Sequence, residues 1–145
     1  MRMLVDTNVW LALLLPLHPH HQSSHQYITQ TGAPLRLCTS VQISLMRLLT
    51  TPSMQEAYGI PQLNNHDASA YLTQIRANPH VQVVAEPVEI YPLWIELAAH
   101  TTPAPKRWMD AHIAALALHH DWPVVTLDRG FEVYQPFGVQ VVIIP

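Results

Sequence analysis

Cysteine is almost absent from this chain. The one present, Cys38, has no second thiol to pair with, which excludes an internal disulfide and fits a reducing compartment such as the cytoplasm. Charge is scarce as well: charged residues make up 12% of the chain and the net charge is −3. A global positive field for drawing in nucleic acid is thereby excluded, so any such binding has to rest on a local cluster. No run is long and apolar enough to span a bilayer. Val9–Leu17 comes nearest to a secretory core, but Asp6 and Asn8 interrupt its approach and Pro16 breaks it. It is expected to be a folded first helix. Repeats, low-complexity segments and linkers are missing too, so residues 1–145 are read as one domain.

What is present alternates between strand-like and helix-like stretches. Arg2–Asp6 is a short apolar run ending in an acid, a first strand, and Thr7 and Asn8 are placed to cap the helix Val9–Leu15. The HPHHQSSHQYI stretch predicts a loop and a second helix. Leu35–Thr39 predicts a second strand, and Ser40–Thr50 a helix. Residues 51–65 carry Pro52, Gly59 and Pro61 and read as a surface loop. A helix is expected to start at Asn65 or Asp67, with Ala68, Tyr71, Leu72 and Ile75 inward. Val81–Ala85 is a third strand, Pro87–His100 mostly helix, Val124–Leu127 a fourth strand and Val139–Ile144 a fifth. This alternation predicts a mainly parallel α/β sandwich.

The chain's chemistry concentrates between Lys106 and Phe131. Asp110 starts a helix that shares a face with Ala114 and Ala117, small residues that allow close approach to a sheet. Asp128 follows the β-branched run Val124–Leu127, which suits a strand covered on both faces. In a parallel sheet, ligands bind outside the carboxyl edge, where Asp6 is expected too. Carboxylates gathered there repel one another unless a cation lies between them. Hard oxygen donors with open positions for water suit Mg²⁺ or Mn²⁺. Taken singly, each aspartate is equally readable as a cap or turn residue.

The segments VDTNVW, MDAHIAALALHH and VVTLDRGF resemble the signature segments of PIN domains, and more narrowly those of VapC toxins from bacterial toxin–antitoxin pairs. SVQISLMRLLTTP resembles the family's second conserved helix, so the likeness spans nearly the whole chain. It implies a three-layer sandwich around a five-stranded, mainly parallel sheet. It further implies a metal-dependent endoribonuclease, usually a homodimer, held inactive by a cognate antitoxin. On this reading Asp6, Asp110 and Asp128 bind Mg²⁺ or Mn²⁺, and Gln42 orients a water or the metal's surroundings. An activated water then attacks an RNA phosphodiester in line, leaving a 5′-phosphate and a 3′-hydroxyl. The chain departs from the family twice. Gln42 stands where most PIN domains have glutamate, and Gly130 stands where many have a further acid.

The residues themselves leave several readings open. Gln42 falls within the apolar arc of its helix, so its amide needs partners, either at the carboxylate edge or on nearby backbone. Asn8 is a helix cap or a contact to metal-bound water. Thr126 shares a strand face with Asp128 and is a donor to the site or simply a β-former. Arg129 is a phosphate ligand or a solvated arginine, and Lys106 with Arg107 forms the best basic patch. His18, His20, His21 and His25 lack an accompanying carboxylate or thiol, which favours a polar surface over a metal cluster. Trp10 and Trp94 are expected in the core or at a dimer interface. Two rivals stand beside the nuclease: a PIN domain too weak in metal affinity to cleave, acting as a binding module, and a receiver-type phosphotransfer fold. The latter expects paired acids after the first strand and a lysine after the last, and LVDTN and VVIIP supply neither.

Overall fold

The computed structural model describes residues 2–145. Five three-residue strands, β1 (Met3–Val5), β2 (Leu35–Leu37), β3 (Val81–Val83), β4 (Val124–Thr126) and β5 (Val141–Ile143), form one sheet in the order β3-β2-β1-β4-β5. Every neighbouring pair is parallel, with Leu4 opposite both Arg36 and Val124. The expected mainly parallel sheet is thus wholly parallel. β1, β2 and β4 are buried along their whole length, as strands covered on both faces must be. β3 at the edge is largely exposed.

The chain steps outward from β1 to β2 and β3, then returns across the sheet to β4 on the other side of β1. With right-handed crossovers, that reversal puts helices on both faces and leaves a crevice where β1 and β4 end. The outward steps carry α1 (Thr7–Leu14), α2 (His21–Thr31), α3 (Thr39–Leu49), α4 (Pro52–Ala57) and α5 (Asn65–Ala77). The return carries α6 (Ile90–Ala98) and α7 (Arg107–His120), and a 3₁₀ segment, Arg129–Phe137, joins β4 to β5. Ala114 and Ala117 of α7 are buried, the close-approach face that its small residues predict, and Ala111 and Ala115 on the adjoining face are buried too.

Three local expectations need correction. The cap of α1 is Asp6, whose side chain accepts from the Thr7 amide; Thr7 and Asn8 lie inside the helix. Residues 51–65 are not loop throughout, because Pro52 sits in the first turn of α4, where its missing N–H has no partner to lose. Gln55 of α4 is buried, its amide donating to the carbonyls of Leu49 and Leu63. Tyr71 of α5 is half exposed and faces outward more than its period suggests, leaving Ala68 as that helix's buried residue. Among the described residues no helix is long and apolar enough to cross a membrane.

Candidate functional site at the carboxyl edge

Asp6 leaves β1 and immediately caps α1, so one residue serves as strand end, helix start and site acid. Its backbone N–H donates to Val125 of β4 at 3.0 Å, fixing it beside that strand. Its carboxylate is buried and accepts from the Thr7 amide at 2.7 Å and from the Thr126 hydroxyl at 2.8 Å. Thr126 in turn accepts from the Asp128 amide at 3.0 Å and from the Asn8 amide group at 3.2 Å. Asn8 also accepts from the Leu127 amide at 3.1 Å. A polar bracket therefore ties β1, α1 and β4 at the crevice. Asn8 and Thr126 are its central members, placed to hold the acids rather than to cap a helix.

Asp6, Asp110 and Asp128 open into one cleft of about 580 Å³, together with Thr7, Asn8, Ser44, Arg47, Leu48 and Lys106. Burial pushes the Asp6 carboxyl up to about 6, against the Thr126 and Thr7 hydrogen bonds, with the charges of Asp110 and Asp128 adding to the rise. Asp110 is raised for the same reasons, burial first and then Asp128, with Lys106 opposing. Burial and the Asp110 charge push the phenol of Tyr134 up to about 12. Asp128 accepts from the Gly130 amide at 2.8 Å. A Cβ at position 130 would stand 3.0 Å from that same oxygen. A side chain there would crowd Asp128, and glycine leaves its backbone N–H to hold that carboxylate without the clash.

The donor set is all hard oxygen, and it fits Mg²⁺ or Mn²⁺ in type. Each bonded oxygen of Asp6 and Asp128 retains a second lone pair, and the Asp110 carboxylate makes no hydrogen bond among the described residues. Among the described residues no three His, Cys, Asp or Glu side chains converge as a ready ligand group. Carboxylates sharing one cleft repel one another, and a cation between them would remove that repulsion.

Gln42 is not part of this cleft. It is buried on α3, but its carbonyl oxygen accepts from Arg76 of α5 at 2.6 Å. It lines a separate groove of about 500 Å³ between α3 and α5, with Ile43, Met46, Ala68 and Leu72. Helix geometry explains the correction, since residues two apart on a helix point in nearly opposite directions. Ser44, Arg47 and Leu48 face the acids, and Gln42 faces α5. The partner that the structure gives its carbonyl oxygen is the Arg76 side chain.

Lys106 and Arg107 both line a second opening beside Asp110 and Asp128, as the expected basic patch requires. Lys106 also lines the cleft, and Arg107 donates to the Leu97 carbonyl at 3.0 Å and lies over the Tyr134 ring. Arg129 pairs with Glu132 at 3.1 Å on the surface. Arg47, absent from the sequence reading, is the cleft's other cation. The sequence carried no signal for it, because packing alone decides which face of α3 meets the acids. The histidines behave as a polar surface. His21 and His25 bond the carbonyls of Ala12 and Leu13, at the end of α1, at 2.7 and 3.0 Å. Trp10 is buried in the core, and Trp94 is part-buried, donating to the Trp108 carbonyl at 2.8 Å.

Known proteins with this sequence pattern and this fold agree with one another. Ribonuclease VapC41 of Mycobacterium tuberculosis is 41% identical over 135 residues, covering 91% of this chain and 92% of that protein. Ribonuclease VapC25 of the same species is 28% identical over 131 residues, covering 88% and 89%. Among solved structures, M. tuberculosis VapC20, a Sarcin-Ricin loop cleaving toxin, superposes with a TM-score of 0.67 at 18% identity, covering 90% of this chain and 93% of that one. VapBC-1 from nontypeable Haemophilus influenzae gives 0.65 at 17% identity, covering 99% and 98%. The PIN domain family model matches residues 3–135. The acid-lined crevice, the β3-β2-β1-β4-β5 sheet and these likenesses agree: the chain belongs to the PIN domain family.

Proposed function

We propose that this protein is a metal-dependent endoribonuclease and the toxin of a toxin–antitoxin pair. The observation that carries the reading is the meeting of Asp6, Asp110 and Asp128, from two strand ends and the first turn of a helix, in one cleft where the acids repel. The 41% identity to a protein named as a ribonuclease supports it. Asp6, Asp110 and Asp128 would hold Mg²⁺ or Mn²⁺, which when bound polarises a phosphoryl oxygen and makes an attacking water more acidic.

The chain's own residues do the remaining work. Thr126 and the Thr7 amide hold the Asp6 carboxylate in one orientation, and the Gly130 amide does so for Asp128. Asn8 locks α1 to β4, so that Asp6 and Asp128 keep their spacing while substrate enters. Lys106 offsets part of the negative charge beside Asp110 as a phosphate approaches. In the cell the protein would act in the cytoplasm, as a homodimer, neutralised by an antitoxin. A segment of that antitoxin would cross the cleft with a hydrophobic anchor and a basic residue that competes for the metal's place.

The test is cleavage of labelled RNA by purified protein in Mg²⁺ or Mn²⁺, with chelator as control. Cutting that stops in chelator and in the saturated complex with the antitoxin is the expected result. RNA left intact by purified protein in either metal would overturn the reading.

A further inference from the structure

The chain is poor in cations, with seven Lys and Arg residues in all, and the fold uses most of them up. Arg36 is buried with its guanidinium 4.4 Å from the Trp122 ring centroid. Arg76 donates to Gln42 and Arg129 pairs with Glu132. Arg107 lines a second opening beside Asp110 and Asp128, but its guanidinium is held by the Leu97 carbonyl and lies over the Tyr134 ring. Arg2 precedes β1 and so lies at the amino edge of the sheet, opposite the acids. Two remain, Lys106 and Arg47, and both line the acid cleft.

They stand on different walls. Lys106 immediately precedes α7 and sits beside Asp110, whereas Arg47 projects from α3, exposed, its guanidinium without a hydrogen bond or ion pair among the described residues. Arg47 also borders the separate α3–α5 groove. A polyanion reaching three carboxylates on a chain of net charge −3 needs a cation that is free to meet it. A guanidinium presents a planar fork of donors matched to phosphate oxygens.

We propose that Arg47 holds a backbone phosphate of the RNA strand next to the scissile one, positioning the strand across the cleft from α7. This rests on the ribonuclease reading. Arg47 is a positioning residue, remote in chemistry from the bond that breaks, so its loss acts on binding more than on turnover.

The experiment measures steady-state cleavage of a single-stranded RNA oligonucleotide by wild type, Arg47→Ala and Arg47→Lys. Binding of the same RNA is measured by anisotropy in an Asp110→Asn background, where it remains uncut. Arg47→Ala should raise KM roughly tenfold with kcat changed less than about twofold. The slope of log binding constant against log salt should become shallower by about 0.7, the value for one single-strand phosphate contact. Arg47→Lys should restore most of the slope, and Arg2→Ala should leave KM and slope unchanged. An unchanged KM and slope in Arg47→Ala, or a fall in kcat alone, overturns the proposal while leaving the nuclease reading intact. So does a variant that loses only its affinity for the antitoxin. If the wild type fails to cleave, the nuclease reading fails instead, and the binding arm still decides whether Arg47 meets phosphate.

Discussion

Asp6 and Glu86 each follow a strand of the same sheet, and the fold treats their charges in opposite ways. Glu86 is surrounded by donors: it accepts from Tyr91 at 2.9 Å and pairs with His112, which also bonds Ser40 at 3.0 Å. Partial burial would raise its pKa, but the Tyr91 and His112 hydrogen bonds and the His112 charge outweigh that and lower it. Asp6 has two good hydrogen bonds yet is raised to about 6, because it is buried beside two other acids. One acid serves as a brace between α3, α6 and α7. The other is kept where its charge is unfavourable, the arrangement expected of a site that awaits a cation.

The widest separation of the two regions should appear in catalysis. Asp110→Asn is expected to lower RNA cleavage in Mg²⁺ by more than about a hundredfold, since even residues that merely support metal ligands give losses of about 10–100-fold. Glu86→Gln should stay within about threefold of wild type, a loss of under about 1 kcal/mol. Initial rates on one labelled RNA check both. Comparable losses in the two variants would mean that the cleft acids are no more catalytic than the brace.

Stability against pH separates the regions by sign. For Asp6 the folded pKa lies above the unfolded one, so its contribution is fully present below pH 3.8 and is lost as pH rises through about 6. The whole span corresponds to about 3 kcal/mol. Metal-free protein in chelator should therefore melt higher at pH 5 than at pH 7.5, and Asp6→Asn should flatten much of that difference. Asparagine keeps the oxygen that caps α1, so the variant remains folded. Glu86 has the opposite sign: its folded pKa is lowered, so its stabilisation is present above the unfolded value and lost as pH falls through the folded one. Its exposure keeps the effect below about 1 kcal/mol. Parallel melting curves for wild type and Asp6→Asn across this pH range would contradict the account of Asp6.

The sequence showed these regions unequally. Asp6, Asp110 and Asp128 were legible because each sits at a boundary between an apolar run and a turn or helix, and parallel topology sends all such boundaries to one edge. Thr126 was legible from strand alternation, two residues before Asp128. The Glu86–His112–Ser40 brace was not. Its members are 26 and 72 residues apart and belong to no shared period, so only the packed fold brings them together. The 3₁₀ segment after β4 was missed because Gly130 and Pro136 look like loop punctuation, although Phe131 and Tyr134 are buried at helical spacing. Gln42 lies on the helix that its sequence predicts, and α5 covers its side chain, a contact that the periodicity could not name. A wheel gives the angle between residues, but it does not say which neighbour covers each side.

Gln42 supplies the smallest effect and the sharpest test of that assignment. If it faced the metal, Gln42→Glu would add a fourth acid to three, destabilising the metal-free protein and enlarging the melting rise on adding Mn²⁺. The structure predicts otherwise. The new carboxylate would meet the Arg76 guanidinium that already donates to Gln42 at 2.6 Å, turning a neutral acceptor into a charged one. Burial makes the carboxylate harder to ionise, and the pairing offsets that, so the net change in stability should lie within about 1 kcal/mol. The Mn²⁺-induced rise should match that of wild type at every concentration. Removing the partner supplies the control: in an Arg76→Ala background, Gln42→Glu loses its cation and becomes clearly destabilising, which appears as coupling in a double-mutant cycle. A larger metal-induced rise in Gln42→Glu, with no coupling to Arg76, would return Gln42 to the acid cleft.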